Sequence, residues 1–379
     1  MKKKYIIFSI VTLVLLVSFL SYSKYLKTTN VCKEDVKPTK ITKGISMNLE
    51  QTAGAGDYKT VTQSSWPTKG YKFNAELSRC ENGSTLSWDD TKKAVIMQGN
   101  VSDKCYVYFD KILTLAEYVI SQYTGTQGDN ALYYHNSTLT NGAGDNSYRY
   151  AGASDSVNNY ICLGSDATTC PEANLFRIIG VFGDQTKVIR AKSVGNQKWD
   201  TNGSNTWSSS SLNTYLNGEY LTSLGTLANK IATTTWKVGG RSSTYLYDVP
   251  TTAYQYEVGS SASTTTYDAK IGLMYVSDYG FAADQSGWTT KLGSYGSNSS
   301  KNWLYLGSFE WTISCDSDRT YGAFSVNSAG HVDGSGVGSS IGVRPSFNLE
   351  SSVKYVSGSG SMSDPVRVTD WRTVLKKHR

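Results

Sequence analysis

Only three histidines, His135, His331 and His378, and six prolines occur in the 379 residues. None of the six cysteines stands in a Cys-x-x-Cys pair or beside a histidine at ligand spacing, so neither a metal centre nor a cofactor is expected. Charge is sparse as well. Asp, Glu, Lys and Arg make up 18% of the chain and the net charge is +6, but Lys2, Lys3, Lys4, Lys24 and Lys27 all flank one apolar run. The remaining body is close to neutral and lacks a clustered basic face, which argues against nucleic acid as a partner. Acidic residues are scattered, and no carboxylate pair is marked out for acid–base work.

What is present begins with Lys2 to Lys4, followed by an uncharged run from Tyr5 to Ser23 rich in Ile, Val, Leu and Phe. As a helix that run spans roughly 28 Å, close to the hydrocarbon thickness of a bilayer. The lysines belong on the cytoplasmic side, so the chain after Lys24 is expected to be exported. Two readings compete: a transmembrane anchor over residues 1–24, or a signal peptide cut after Ser23 and a secreted product. The length of the run and its lack of a helix breaker favour a single-pass anchor with the C-terminal part outside the cell. Cys32 has no lipobox before it, and the basic tail, residues 371–379, follows no apolar span.

In an exported chain six cysteines read first as disulfides. Cys80 and Cys105 bracket a small β unit, and Cys162 and Cys170 bracket a polar loop. The first pair closes a loop of about 26 residues, for roughly 3–4 kcal/mol; the second contributes roughly 2–3 kcal/mol. Cys32 and Cys315 are left to pair, stay free or bridge to another chain.

Beyond the anchor about 350 residues remain, enough for two domains. Residues 25–60 are polar with little periodicity and read as a juxtamembrane stalk. Over residues 61–111, Tyr71, Phe73, Ala75 and Leu77 alternate with polar residues, Asn82-Gly83 marks a turn, and Cys105, Val107 and Phe109 alternate again. That pattern predicts a β-sandwich-like domain of about four short strands. Thr114 and Glu117 form a capping box that opens a helix over Leu115 to Tyr123, the start of a second domain over residues 112–370. Leu175 to Phe182 is a near-continuous apolar strand, followed by a strand over Lys187 to Ala191. A helix capped near Ser209 carries Leu212, Tyr215 and Leu216 on one face, and Gly218 is placed to end it. Further strands are expected at Ile271 to Val276, Trp303 to Leu306, Trp311 to Ile313, Ala323 to Val326 and Ile341 to Leu349. The fold class is α+β, mainly antiparallel β.

Residues Trp207–Leu221 (WSSSSLNTYLNGEYL), the EWTIS at Glu310, the FSVNSAGHVD ending at Asp333, the IGVRPSFNL ending at Leu349 and the GSGSMSDPVRV that follows form a recurring set. Together they resemble a family of uncharacterised secreted bacterial domains of the C-type-lectin-like superfamily, which also holds the formylglycine-generating enzymes. The resemblance covers Leu175 to Thr369 and implies a C-type-lectin-like domain with a late core strand at Gly342-Val343-Arg344-Pro345. It implies no reaction, since one fold serves many functions. The calcium-site residues and Trp-Asn-Asp strand of sugar-binding lectins are missing. So is the cysteine pair of the formylglycine-generating enzymes, because only Cys315 lies in that region.

Cys315, His331 and Asp333 offer a nucleophile, a base and an orienting group, an arrangement that needs hydrogen-bond contact to work. His331 follows a turn, where a surface residue is ordinary, and no catalytic residue is assigned. Near the expected C-terminal site, Trp311, Asp316, Asp318, Arg319 and Tyr321 form a polar-aromatic group between strands and are the candidate ligand contacts. Arg344 reads as a structural residue paired with a carboxylate, and Trp207 as core. Residues 241–300 carry Tyr245, Tyr247, Tyr254, Tyr256, Tyr267, Tyr275, Tyr279, Trp288 and Tyr295 among Ser, Thr and Gly. That mixture suits a binding surface as well as a core. The sequence thus predicts an anchored surface protein, not an enzyme, that binds an extracellular glycan or protein. A hydrolase or oxidase on the same fold and a structural envelope component are the alternatives.

Overall fold

A computed structural model describes residues 44–62, 65–67, 70–100, 102–244 and 248–369. The anchor or signal segment, residues 1–24, and the tail, residues 371–379, lie outside the described residues. Among the described residues no helix is long and apolar enough to cross a membrane. The chain divides between Leu113 and Thr114 into two compact units.

The first unit holds β1 (Ile45–Glu50), β2 (Tyr58–Val61), β3 (Tyr71–Cys80), β4 (Thr85–Asp89), β5 (Ala94–Gln98) and β6 (Cys105–Lys111). A four-stranded sheet runs β2-β1-β6-β3, and β4 and β5 make a separate hairpin. Residues 45–60, part of the stretch expected as stalk, therefore belong to this domain and supply β1 and most of β2. Met47 and Leu49 pack into its apolar core, and β1 pairs with β6 in parallel. The alternation of Cys105, Val107 and Phe109 is as expected, all three buried. That of β3 breaks. Asn74 Oδ1 accepts the backbone N–H groups of Glu76 and Leu77 at 3.1 and 2.9 Å, which supports a bulge and turns Ala75 and Leu77 outward. The disulfide Cys80–Cys105 joins β3 to β6.

The second unit opens with α1 (Leu115–Ser121), where the Thr114–Glu117 capping box is present with both of its bonds. Strands β7 (Leu132–Tyr134), β8 (Tyr148–Tyr150), β9 (Tyr160–Cys162), β10 (Leu175–Phe182), β11 (Gln185–Arg190) and β12 (Asn196–Gln197) follow. Then come α2 (Ser211–Tyr215), β13 (Thr234–Lys237), α3 (Pro250–Glu257), β14 (Thr266–Ala269), β15 (Ile271–Gly272) and α4 (Val276–Phe281). The last third is β16 (Glu310–Cys315), β17 (Gly322–Val326), β18 (Val332–Gly336), β19 (Ile341–Gly342), β20 (Ser346–Leu349), β21 (Lys354–Ser357) and β22 (Val366–Thr369).

One sheet runs β15-β20-β11-β10-β9-β22-β21, with β7 and β8 added beside β10; a second runs β12-β19-β16-β17-β18. Pairing is antiparallel except between β9 and β22 and between β16 and β19. The fold is α+β with mostly β-sheet, as read. Strand β10 is buried on both faces, which is why its apolar run is nearly unbroken. Gly180 lets β8 approach it, since a Cβ there would come within 2.2 Å of the Tyr148 carbonyl oxygen.

Four local expectations fail for identifiable reasons. Gly218 does not end α2; a wider turn over Leu216–Tyr220 carries the helix on to Leu221–Ser223. The strand at Ile271 stops at Gly272 because Asp278 accepts the Tyr275 N–H and starts α4. Trp303 to Leu306 is a turn, held by the Asn302 carbonyl and side chain. The stretch Ile341 to Leu349 is two strands in two different sheets, and Arg344 sits where the chain crosses between them. Its guanidinium lies 2.8 Å from Glu310, both side chains 1% exposed, the paired structural role expected of it.

Candidate functional site: a serine-lined groove beside Phe309

The five candidate contacts do not form a cleft. Trp311 is fully buried in β16, and its indole N–H donates to the Gln197 carbonyl at 2.9 Å, so it belongs to the core. Asp316 is buried at the strand end and accepts the Asp318 N–H at 3.0 Å. Asp318 is exposed and ties down the neighbouring loop by accepting from Ser242 and Ser243. Arg319 is exposed and reaches Asp316 only at 3.8 Å, an ion pair of little weight. Tyr321 is 59% exposed. The group is a hairpin end that holds itself together. Its ordering explains the density of polar residues without a ligand.

The aromatic stretch is decided mostly in favour of core. Tyr275, Tyr279, Trp288 and Tyr295 are buried, and Tyr254, Tyr256 and Tyr267 half-buried. Tyr245 and Tyr247 lie outside the described residues. Each buried polar tip has found a carbonyl: Tyr279 donates to Gly330 at 2.8 Å, Tyr295 to Gly280 at 2.6 Å and Trp288 to Ala283 at 2.9 Å. Rings so satisfied have no need of a ligand. Six tryptophans of the nine in the chain, Trp207 among them, are fully buried in the second unit.

The Cys315, His331 and Asp333 set is not assembled. Cys315 pairs with Ala323 on β17, whereas His331 follows the far end of that strand, roughly 13 Å along it at strand spacing. Cys315 is a free, buried thiol that donates to the Val238 carbonyl at 3.5 Å, and burial pushes its pKa up to about 11. A thiol held in that form is a weak nucleophile. His331 accepts the Gly296 N–H on Nδ1 at 3.1 Å. Among the described residues no group of three or more His, Cys, Asp or Glu is placed to hold a metal ion.

Among the described residues, two cavities have polar linings that bear on ligand binding. One, of about 420 Å³, lies by α1 among Tyr118, Gln122, Asn130, Tyr150 and Asn158. Here the Tyr118 and Tyr355 rings stack at 3.7 Å and the Asn130 amide donates to the Gln122 carbonyl at 2.8 Å, so part of the lining is already occupied with itself. The other, of about 590 Å³, is a groove where β12, β19 and the start of β16 meet. Asn196, Ser308, Phe309, Ser328, Ser335, Ser339, Ser340 and Ile341 line it. Its shape depends on two glycines. Gly307 has φ +76°, and a Cβ on Gly342 would come within 2.6 Å of the Phe309 carbonyl oxygen. Phe309 is 45% exposed and Leu306 38%, so an apolar ring is presented to solvent beside a bed of hydroxyls. One aromatic plate with several small hydrogen-bonding groups can hold an amphipathic ligand, such as a sugar ring or an extended peptide.

Sequence reasoning missed this groove because serines scattered over residues 308–340 carry no periodic signal and become neighbours only through sheet pairing. No curated protein and no solved structure matches the chain. Residues 183–351, which carry the whole groove, match the model of a family described as a domain of unknown function (DUF6273), inside the Leu175 to Thr369 stretch where a family resemblance was expected.

Proposed function

We propose that this protein is an exported, membrane-anchored surface protein whose second unit is a C-type-lectin-like domain that binds an extracellular glycan or protein without catalysis. The observation that carries the binding role is the 590 Å³ groove with Phe309 displayed over serine hydroxyls. Export is supported by the Lys2–Lys4 and Tyr5–Ser23 pattern together with two disulfides, which persist in oxidising compartments. A non-catalytic role is supported by the burial of Cys315 and its separation from His331.

The test is a screen of the purified chain on glycan and protein arrays, followed by titration of any hit against Phe309→Ala. Truncating a central aromatic contact is expected to weaken binding roughly tenfold or more while leaving the melting curve in place. A hit that ignores Phe309 places the ligand elsewhere. A chain that binds nothing on either array, although both disulfides are formed, favours the envelope component.

A further inference from the structure

Lys187 on β11 and Asp278 on α4 meet in the interior of the second unit, 91 residues apart in sequence, with Nζ 2.5 Å from Oδ2. Their side chains are 6% and 2% exposed. Three rings surround the amine: Nζ lies 4.7 Å from the centre of Tyr275, 5.4 Å from Trp236 and 5.8 Å from Phe182. Two full charges in such a place carry a heavy desolvation penalty, and joining the two groups removes both charges at once. The surroundings suit that outcome. Asp278 Oδ2 accepts the Tyr275 backbone N–H at 2.9 Å, a donor fixed by the first turn of α4 and aimed where charge develops when the carboxyl carbon is attacked. Glu257, buried at the end of α3, accepts the N–H groups of Val276 and Ser277 at 3.1 and 2.8 Å and the Ser314 hydroxyl, and so holds that same turn in place. Burial pushes the Lys187 ammonium toward the free amine.

Arg149 does not depend on Asp278. It lies 3.6 Å from that carboxylate but 2.6 Å from Asp145, and its Nε donates to Ser147 at 2.8 Å. Neutralising Asp278 therefore leaves Arg149 paired.

We propose that Lys187 and Asp278 condense with one another into an intramolecular isopeptide bond that locks β11 to α4. The Nζ group hands one proton to the Asp278 carboxyl and attacks Cγ, while the Tyr275 N–H holds the oxygen that becomes negative. The Cγ–Oδ1 bond then breaks. The nitrogen gives up a second proton to the departing Oδ1, which leaves as water. One amine and one carboxylic acid become one amide and one water, with no change of oxidation state and no co-reactant. The product carbonyl keeps the Tyr275 N–H, so no buried group is stranded.

The test is peptide mapping of the full-length folded chain, reduced, alkylated and digested with trypsin, by tandem mass spectrometry. A branched peptide is expected that joins the segments holding Lys187 and Asp278, lighter by one water than their sum, with no cleavage after Lys187. Asp278→Asn is expected to give the same branched product by losing ammonia instead of water. Lys187→Met removes the branched peptide in preparations whose two disulfides are formed. Recovery of only the linear peptides from folded wild-type protein, with Lys187 open to acetylation after denaturation, overturns the proposal.

Discussion

In the first unit Met47, Leu49, Val95, Val107 and Phe109 form the core, and one disulfide joins its two longest strands. In the second, six tryptophans are fully buried, five of them donating to backbone carbonyls, together with the charged pairs Arg344–Glu310 and Lys187–Asp278. A small domain buries a lower fraction of its surface and gains most from a covalent cross-link. A larger one has enough apolar surround to bury polar groups, provided each finds a partner. Stability therefore leans more on a single cross-link in the first unit and more on the partnering of buried groups in the second.

That contrast is broken most sharply at Arg344. Arg344→Met leaves Glu310 buried without its cation and is expected to cost about 3–5 kcal/mol, read as a lower denaturation midpoint of the second unit alone. Adding Glu310→Leu should restore much of the loss, because an apolar pair no longer strands a charge. Next in size are the disulfides. Cys80→Ser with Cys105→Ser is expected to cost the first unit roughly 3–4 kcal/mol, enough to unfold a marginal domain. Cys162→Ser with Cys170→Ser removes a shorter loop closure, for roughly 2–3 kcal/mol, and the tryptophan-rich core should survive it. Equal sensitivity of the two units to reductant would refute the comparison.

The smallest effect is a response to acid. Burial works against the Asp145 carboxylate, yet Arg149 and Ser147 hold its pKa down to about 2, below the unfolded value of 3.8. A carboxylate depressed on folding contributes stability above the unfolded pKa and loses it as pH falls through the folded one. The second unit should thus weaken between about pH 4 and pH 2, and because Asp145 is mostly buried the loss should persist in high salt. In the first unit Asp57, Glu81 and Asp89 are also depressed, by hydrogen bonds and nearby lysines, but they are open to solvent. Their acid response should fade as salt is added. Chemical denaturation at several pH values, in low and high salt, measures both.

Much of the local structure was legible. The Thr114–Glu117 capping box, the run from Leu175 to Phe182, and both disulfide pairs follow from neighbours close in sequence, and each is present. The candidate site was not. Trp311, Asp316, Asp318, Arg319 and Tyr321 attracted attention by their density, which turned out to be the chemistry of a hairpin end. The tyrosines of residues 241–300 have a composition that fits a binding surface and a core equally, and composition carries no record of which carbonyl will meet a buried hydroxyl.

From the chain alone came the α+β class, the buried strand Leu175–Phe182 and several others in the second unit, the capped helix at Leu115, the cysteine pairing and the expectation that Arg344 would face a carboxylate. These rest on side-chain periods and caps that operate over a few residues. Tertiary structure alone decided that β1 pairs in parallel with β6, that Glu310 is the carboxylate, that Phe309 and several serines line one groove, and that Lys187 touches Asp278. A side-chain period tells which face is buried, but which distant residue shares that burial depends on how the sheets pair and cross.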